Sequence, residues 1–383
     1  MSTTAPAGFR AAGVTAGLKP SGRPDVALVV NDGPLDVLAA VFTSNRCKAN
    51  PVLWSEVVAR TGRGRAVVLN SGGANCYTGP QGFAATHRTA ERTAELLGCG
   101  AGEVLVCSTG LIGEQLDAER LLAGVDAAAG ALSAEGGDDA AVAVMTTDTV
   151  PKTSVVERDG WSCGGMAKGA GMLAPALATM LVVLTTDAVV EPADADAALR
   201  AATAATFDRL DSDGCQSTND TVALLASGAS GVRVGAEELA AALRPLCADL
   251  ASQLLSDAEG SEHDVAITVR GAASEADALE VARSVARSNL FKAAVFGRDP
   301  NWGRVMAAVG TTSAAFDPAV LDVSFNGVAV CRDGAVGEPR SLVDLSARDV
   351  EVVVDLKAGP EEATVWTNDL THAYVHENSA YST

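Results

Sequence analysis

The chain has 383 residues, 48% hydrophobic and 20% charged, which excludes a disordered, collagen-like or low-complexity protein and predicts more than one core. Lysine and arginine number 28 against 48 aspartates and glutamates, and a net charge of −20 opposes extended contact with phosphate backbones or anionic lipid, so neither nucleic acid nor a membrane is expected as a partner. The longest nearly apolar run, Leu173 to Leu184, is 12 residues and is broken by Pro175 and Thr179, short of the ~20 that span a bilayer.

Met1 to Arg23 has neither a basic start nor a continuous apolar segment, so it does not read as a secretory signal and a cytoplasmic location is expected. Short runs rich in β-branched residues predict strands at Val26–Val30, Val37–Phe42, Ala66–Leu69 and Val104–Cys107, with the adjacent runs near 26–58 expected to pair antiparallel. Apolar spacing of three and four predicts helices at Gln81–Leu97 and Glu114–Ala129. The Ala/Gly/Asp-rich stretch Gly124–Asp139 reads as a surface excursion. Strands follow at Met180–Thr185, Thr221–Ala226, Val265–Val269, Val323–Val330 and Val350–Leu356, and helices at Ala193–Phe207, Ala236–Leu255 and Ser274–Ala286. The class is mixed α/β, with antiparallel pairing again expected near 320–367. Ser-Gly-Ala-Ser-Gly-Val between Gly228 and Gly235 precedes a long amphipathic helix and marks a boundary, giving units 1–233 and 234–383.

Eight cysteines are spread singly with no C-x-x-C pair, which argues against a zinc site and a disulfide framework and predicts small buried side chains. His372 and His376 have the i, i+4 spacing of a metal pair, but their Thr-His-Ala-Tyr-Val-His setting alternates like a strand and lacks a Glu beside the first His, so a structural or exposed role is expected.

The densest feature is the segment from Lys168 to Asp187. Gly169, Gly171 and Pro175 make an irregular loop that runs into a strand with Thr179 at its start. It matches neither a P-loop nor a dinucleotide-binding fingerprint. Composition alone leaves it as a Gly-rich turn feeding a buried strand, with Thr179 present for its β-propensity. Lys168 is one of only six lysines and so is not a routine solubilising residue.

This stretch resembles the self-cleavage segment of the ornithine acetyltransferase (glutamate N-acetyltransferase) family of arginine biosynthesis, and the likeness covers nearly the whole chain. It continues in Gly8-Phe9-Arg10-Ala11-Ala12-Gly13-Val14, Ser108-Thr109-Gly110-Leu111-Ile112-Gly113, and Met145-Thr146-Thr147-Asp148-Thr149-Val150-Pro151-Lys152. Ser217-Thr218-Asn219-Asp220-Thr221, Gly297-Arg298-Asp299-Pro300-Asn301-Trp302-Gly303-Arg304 and Glu377-Asn378-Ser379-Ala380-Tyr381-Ser382-Thr383 complete it.

The resemblance implies a cut between Ala178 and Thr179, leaving chains of 178 and 205 residues out of 383, assembled as α2β2. Such a cut has a chemical rationale. An internal threonine hydroxyl is a weak nucleophile with no base of its own, whereas a freed α-amine, with an ordinary pKa of ~7.7–8.0, can take its proton. The resemblance assigns Thr109 and Gly110 to the oxyanion hole, and the strand-to-helix turn that holds them is expected to expose backbone N–H groups. It assigns substrate contacts to Thr147, Lys168, Thr179, Glu259, Asn378 and Thr383, with Lys168 facing an α-carboxylate and Glu259 the cationic end of the substrate. Near Glu259 this chain departs from the family pattern, with Ser261-Glu262-His263 where Ala-Thr-Lys is usual.

The fold so implied is a layered α-β-β-α sandwich of mixed and antiparallel sheets plus a smaller C-terminal α/β domain, the sandwich holding the 178/179 junction. The activity implied is acetyl transfer from N2-acetyl-L-ornithine to L-glutamate, with no metal or organic cofactor and with acetyl-CoA as a further donor in bifunctional members. A self-processing amidase or aminopeptidase, in which water resolves the acyl-enzyme, and a non-catalytic metabolite-binding protein are the alternatives.

Overall fold

An apolar run without polar alternation needs cover on both faces, and the first half of the chain supplies two such sheets. The computed structural model describes residues 2–172 and 180–380. One sheet has the order Phe9–Val14, Val26–Asn31, Ala66–Asn70, Val104–Ser108, antiparallel except for the last, parallel pair. The other has the order Val37–Phe42, Thr221–Ala226, Leu181–Thr186, Trp161–Lys168, Lys152–Arg158, with one parallel pair in the middle.

Alternate residues on each strand serve different cores, as the two-residue period requires. Ala27 and Val29 of the first sheet meet Leu181 and Val183 of the second in a core between the sheets. Val26, Leu28 and Val30 face outward onto the helices Gly79–Leu97 and Ala118–Gly130. Val182 and Leu184 face the opposite way onto Pro192–Ala204 and Ala236–Ser256. The layers run helix, sheet, sheet, helix.

The last part of the chain forms a six-stranded sheet in the order Ala335–Val336, Val328–Arg332, Asp322–Phe325, Asp349–Asp355, Asp264–Ala272, Glu361–Asn368. Val265, Ile267 and Val269 turn one face to the helices Glu275–Ala286 and Trp302–Val309, while the residues between them stay half-buried. The helix Ala236–Ser256, which follows residue 233, packs with Pro192–Ala204 on the sandwich, so the core of this sheet begins at Val265. The two parts meet where the Asp211 N–H donates to the Trp366 carbonyl and Asn368 Nδ2 to the Leu255 and His263 carbonyls.

Several local expectations are corrected. Val26–Asn31 and Val37–Phe42 do not pair: Asn31 turns the chain from one sheet to the other, its amide donating to the Leu35 and Ala226 carbonyls. Gly124–Asp139 is not a surface excursion. It spans the second half of the helix Ala118–Gly130 and the start of another, Gly137–Ala143; Val125 and Ala128 within it are buried against the first sheet, and Ala140, Ala141 and Ala143 just past it are small enough to bury against both sheets. The run Val323–Val330 is a hairpin, with Asn326 and Gly327 at φ 44° and 81° forming the two-residue turn that suits the strand twist. His372 and His376 lie exposed on a helix, His372–Ala380, rather than a strand. The strands Phe9–Val14, Lys152–Arg158, Trp161–Lys168 and Glu361–Asn368 carried no strong apolar run and become strands through their neighbours.

Candidate active site

The first sheet ends at Ser108 and the strand Trp161–Lys168 ends beside it, so Thr109 and Lys168 meet. They line a cavity of about 120 Å³ with Gly110, Thr147, Glu259 and Asn378, which come from widely separated parts of the chain. Asn219 ties the two sheets together here, its amide donating to the Ser108 and Ala74 carbonyls at 2.8 and 2.6 Å.

Thr109 is buried, and its N–H is already spent on the Asn70 carbonyl at 3.0 Å. Its available donor is therefore the hydroxyl and not the backbone amide that the turn was expected to expose. Lys168 Nζ donates to that hydroxyl oxygen at 3.3 Å, which leaves the hydroxyl proton free and polarises it. Gly110 has φ 130°, and a Cβ there would fall 2.9 Å from the backbone of Gly73, so only glycine fits.

Lys168 is almost wholly buried, and burial lowers its pKa while Asp148 works against the fall. Asp148 is the hub beneath the cavity. It accepts from Lys152 Nζ at 2.7 Å, from the Gly169 N–H at 2.7 Å and from the Thr146 N–H at 3.0 Å. Burial alone would raise its pKa, but the Lys168 and Lys152 ammoniums and these hydrogen bonds outweigh that and hold it at about 2. Lys152 is completely buried between Asp148 and Asp257, the latter at 2.6 Å, and Asp257 in turn fixes Thr149. One lysine and two carboxylates thus key the 146–149 loop, the end of the Lys168 strand and the segment leading to Glu259 to each other. In the sequence these residues carry no expected role, although Asp148 and Lys152 stand at i, i+4 and Lys152 is another of the six lysines.

Glu259 follows the helix Ala236–Ser256, and its N–H donates to the Ala170 carbonyl at 2.9 Å. Its carboxylate accepts from Asn378 Nδ2 at 3.0 Å, so the C-terminal helix forms a wall of the cavity. Gly260, at φ 62°, makes that docking possible: a Cβ would lie 2.3 Å from the Tyr374 nitrogen. Thr371 clasps the junction, donating to the Gly260 carbonyl at 2.6 Å and accepting from the Tyr374 N–H at 2.9 Å. Thr146, Gly171, Met172, Asp213, Cys215 and Tyr374 also line the cavity and had no expected role there, although Thr146 lies in a family motif and Gly171 in the Gly-rich loop. Tyr374 carried a compositional signal as one of three tyrosines.

Ala178, Thr179 and Thr383 lie outside the described residues. The residue bonded to Thr179 on its C-terminal side, Met180, donates its N–H to Asp220 Oδ1 at 3.2 Å. Asp220 is fully buried, burial raises its pKa well above the carboxylate range, and its second oxygen has no partner among the described residues.

Among the described residues no helix is long and apolar enough to cross a membrane. Residues 10–383 match the ArgJ family. The chain is 63% identical over 382 residues to the arginine biosynthesis bifunctional protein ArgJ of Streptomyces coelicolor, covering 100% of each chain. It resembles the crystal structure of the arginine biosynthesis bifunctional protein ArgJ of Bacillus halodurans, at 32% identity and a TM-score of 0.50, over 51% of this chain and 97% of that one. A structure of ornithine acetyltransferase complexed with ornithine from Mycobacterium tuberculosis is 55% identical, with a TM-score of 0.45, over 47% of this chain and 96% of that one.

Proposed function

Since the chain belongs to the ArgJ family, we propose that it moves the acetyl group of N2-acetyl-L-ornithine to L-glutamate through an acetyl ester on Thr179. It is an acyltransferase of arginine biosynthesis, and it acts on small molecules. The observation that carries the reading is convergence: Thr109, Gly110, Thr147, Lys168, Glu259 and Asn378 line one cavity, and Met172 at the edge of the 173–179 segment lines it too.

The chain first cuts itself between Ala178 and Thr179. A solved relative whose chain is 97% aligned yet covers 51% of this one supports a product of about half length. The Thr179 hydroxyl then attacks the acetamide carbonyl of acetylornithine and passes its proton to the Thr179 α-amine. The carbonyl oxygen becomes negative and is received by the Thr109 hydroxyl and the Gly110 N–H. As the C–N bond breaks, ornithine leaves with the proton from the α-ammonium. The amine of glutamate attacks the ester, N-acetylglutamate departs, and the Thr179 oxygen regains its proton.

Lys168 faces the α-carboxylate, Thr147 contacts the substrate and Glu259 faces the distal ammonium. Asn378 and Thr383 close the site. The relatives' name, bifunctional, supports acetyl-CoA as a second donor to the same ester. The two products stay associated and pair as α2β2 in the cytoplasm.

The test is to supply acetylornithine alone. A burst of ornithine matching the enzyme concentration, with the chain that begins at Thr179 heavier by one acetyl group, is expected, and adding glutamate should remove that group. Intersecting rather than parallel reciprocal plots in two-substrate kinetics would overturn the ester.

A further inference from the structure

Acetyl transfer as proposed makes one site accept two amino acids of opposite side-chain charge. Ornithine ends in an ammonium that Glu259 attracts, and glutamate ends in a carboxylate that Glu259 repels. A second cavity of about 270 Å³ adjoins the first and shares Asp213, Glu259 and Tyr374 with it. Resting on the acetyl-transfer reading, we propose that Lys292, in this second cavity, receives the side-chain carboxylate of the glutamate acceptor.

Three lysines are buried, and they differ in their partners. Lys152 has two carboxylates. Lys168 and Lys292 have none within ion-pair distance among the described residues. A buried ammonium with no carboxylate in direct contact is costly, so each of these two is a place where a close anion is favoured. Lys168 faces the first cavity and Lys292 the second.

Lys292 Nζ donates only to neutral oxygens, the Ser212 carbonyl and the Thr367 hydroxyl, the latter at 3.2 Å. Its third N–H has no acceptor among the described residues. The nearby carboxylates favour its charge from a distance while making their direct contacts with other groups: Asp369 with His263 at 2.7 Å, Asp211 with Arg287 at 2.8 Å, and Asp213 with the Met172 and Cys215 N–H groups. Lys168 in the first cavity and Lys292 in the second offer one cation for each carboxylate of glutamate, while Lys168 with Glu259, both in the first, offer the charges complementary to the carboxylate and ammonium of ornithine.

The experiment is a substrate split on the processed enzyme. Lys292→Gln, which keeps polar atoms for Ser212 and Thr367 but no charge, should raise the KM for glutamate about 10- to 100-fold, the loss expected for one charge-assisted hydrogen bond. It should also erase the preference for glutamate over glutamine as acceptor, whereas Lys292→Arg should restore both. The burst of ornithine from acetylornithine reports the first half-reaction separately. An independent variant, Asn289→Trp, narrows the second cavity from an exposed rim position and should raise the glutamate KM without depending on the buried lysine. An unchanged glutamate KM in Lys292→Gln, or in Asn289→Trp should Lys292→Gln not fold, would overturn the assignment. Absence of any acetylated chain from the wild-type protein would instead overturn the acetyl-transfer reading itself.

Discussion

Lys152 and Asp148 show how much of the cavity depends on side chains that do not line it. Removing the ammonium leaves the buried Asp148 and the half-buried Asp257 facing each other without the cation between them, so Lys152→Met is predicted to cost ~3–5 kcal/mol in urea unfolding. A loss below ~1 kcal/mol would show that the network relaxes freely. The folded pKa of Asp148, about 2, lies below the ~3.9 of an unfolded chain, so the unfolded state binds its proton first. Its stabilising contribution is complete above about pH 4 and is lost as pH falls through 2. Unfolding free energies of wild type and Asp148→Asn should therefore converge across that window; parallel curves would refute the assignment. At Thr179, substitution by alanine removes the attacking oxygen and keeps the β-carbon, and the expected result is an uncut, inactive, folded precursor. Recovery of two chains would end the case for this residue. Thr179→Ser keeps the hydroxyl without the methyl that restrains χ1 and should still cleave, more slowly.

The C-terminal helix His372–Ala380 shows how an element becomes part of a site through one backbone position. Its docking rests on Gly260, on the Thr371 clasp and on the Asn378 to Glu259 hydrogen bond. Gly260→Ala places a methyl against the Tyr374 nitrogen and strains a positive φ, so the helix should lift from the cavity. The expected outcome is intact self-cleavage with acetylornithine KM raised at least ~10-fold, as expected for one charge-assisted hydrogen bond. Deleting Asn378 to Thr383 should act the same way. Cleaved protein with unaltered kcat and KM in both variants would remove the tail from the site.

Across the whole molecule, freshly purified protein should give two chains of 178 and 205 residues by denaturing mass analysis, and a native mass should report the α2β2 assembly. A single chain of 383 residues after prolonged incubation would refute processing. Much of this protein was legible in the sequence. Runs such as Val26–Val30 and Thr221–Ala226, apolar on both faces, can be stable only between two layers, which is where they lie. The ordered motifs around Thr109, Thr147, Lys168 and Glu259 named residues that line one cavity. What periodicity could not reveal was pairing. A period of two says which residues share a face but not which strand lies alongside, and so the neighbours Val26–Asn31 and Val37–Phe42 were placed in one sheet and belong to two. Nor could sequence show that the Thr109 amide is consumed by Asn70, that Asp148 and Asp257 meet across 109 residues around Lys152, or that Lys292 has no carboxylate within ion-pair distance among the described residues. By itself the sequence, through its family motifs, implied the layers and named residues that line the first cavity. The partners of each buried charge were decided only by tertiary structure, because charge pairing depends on distance through space.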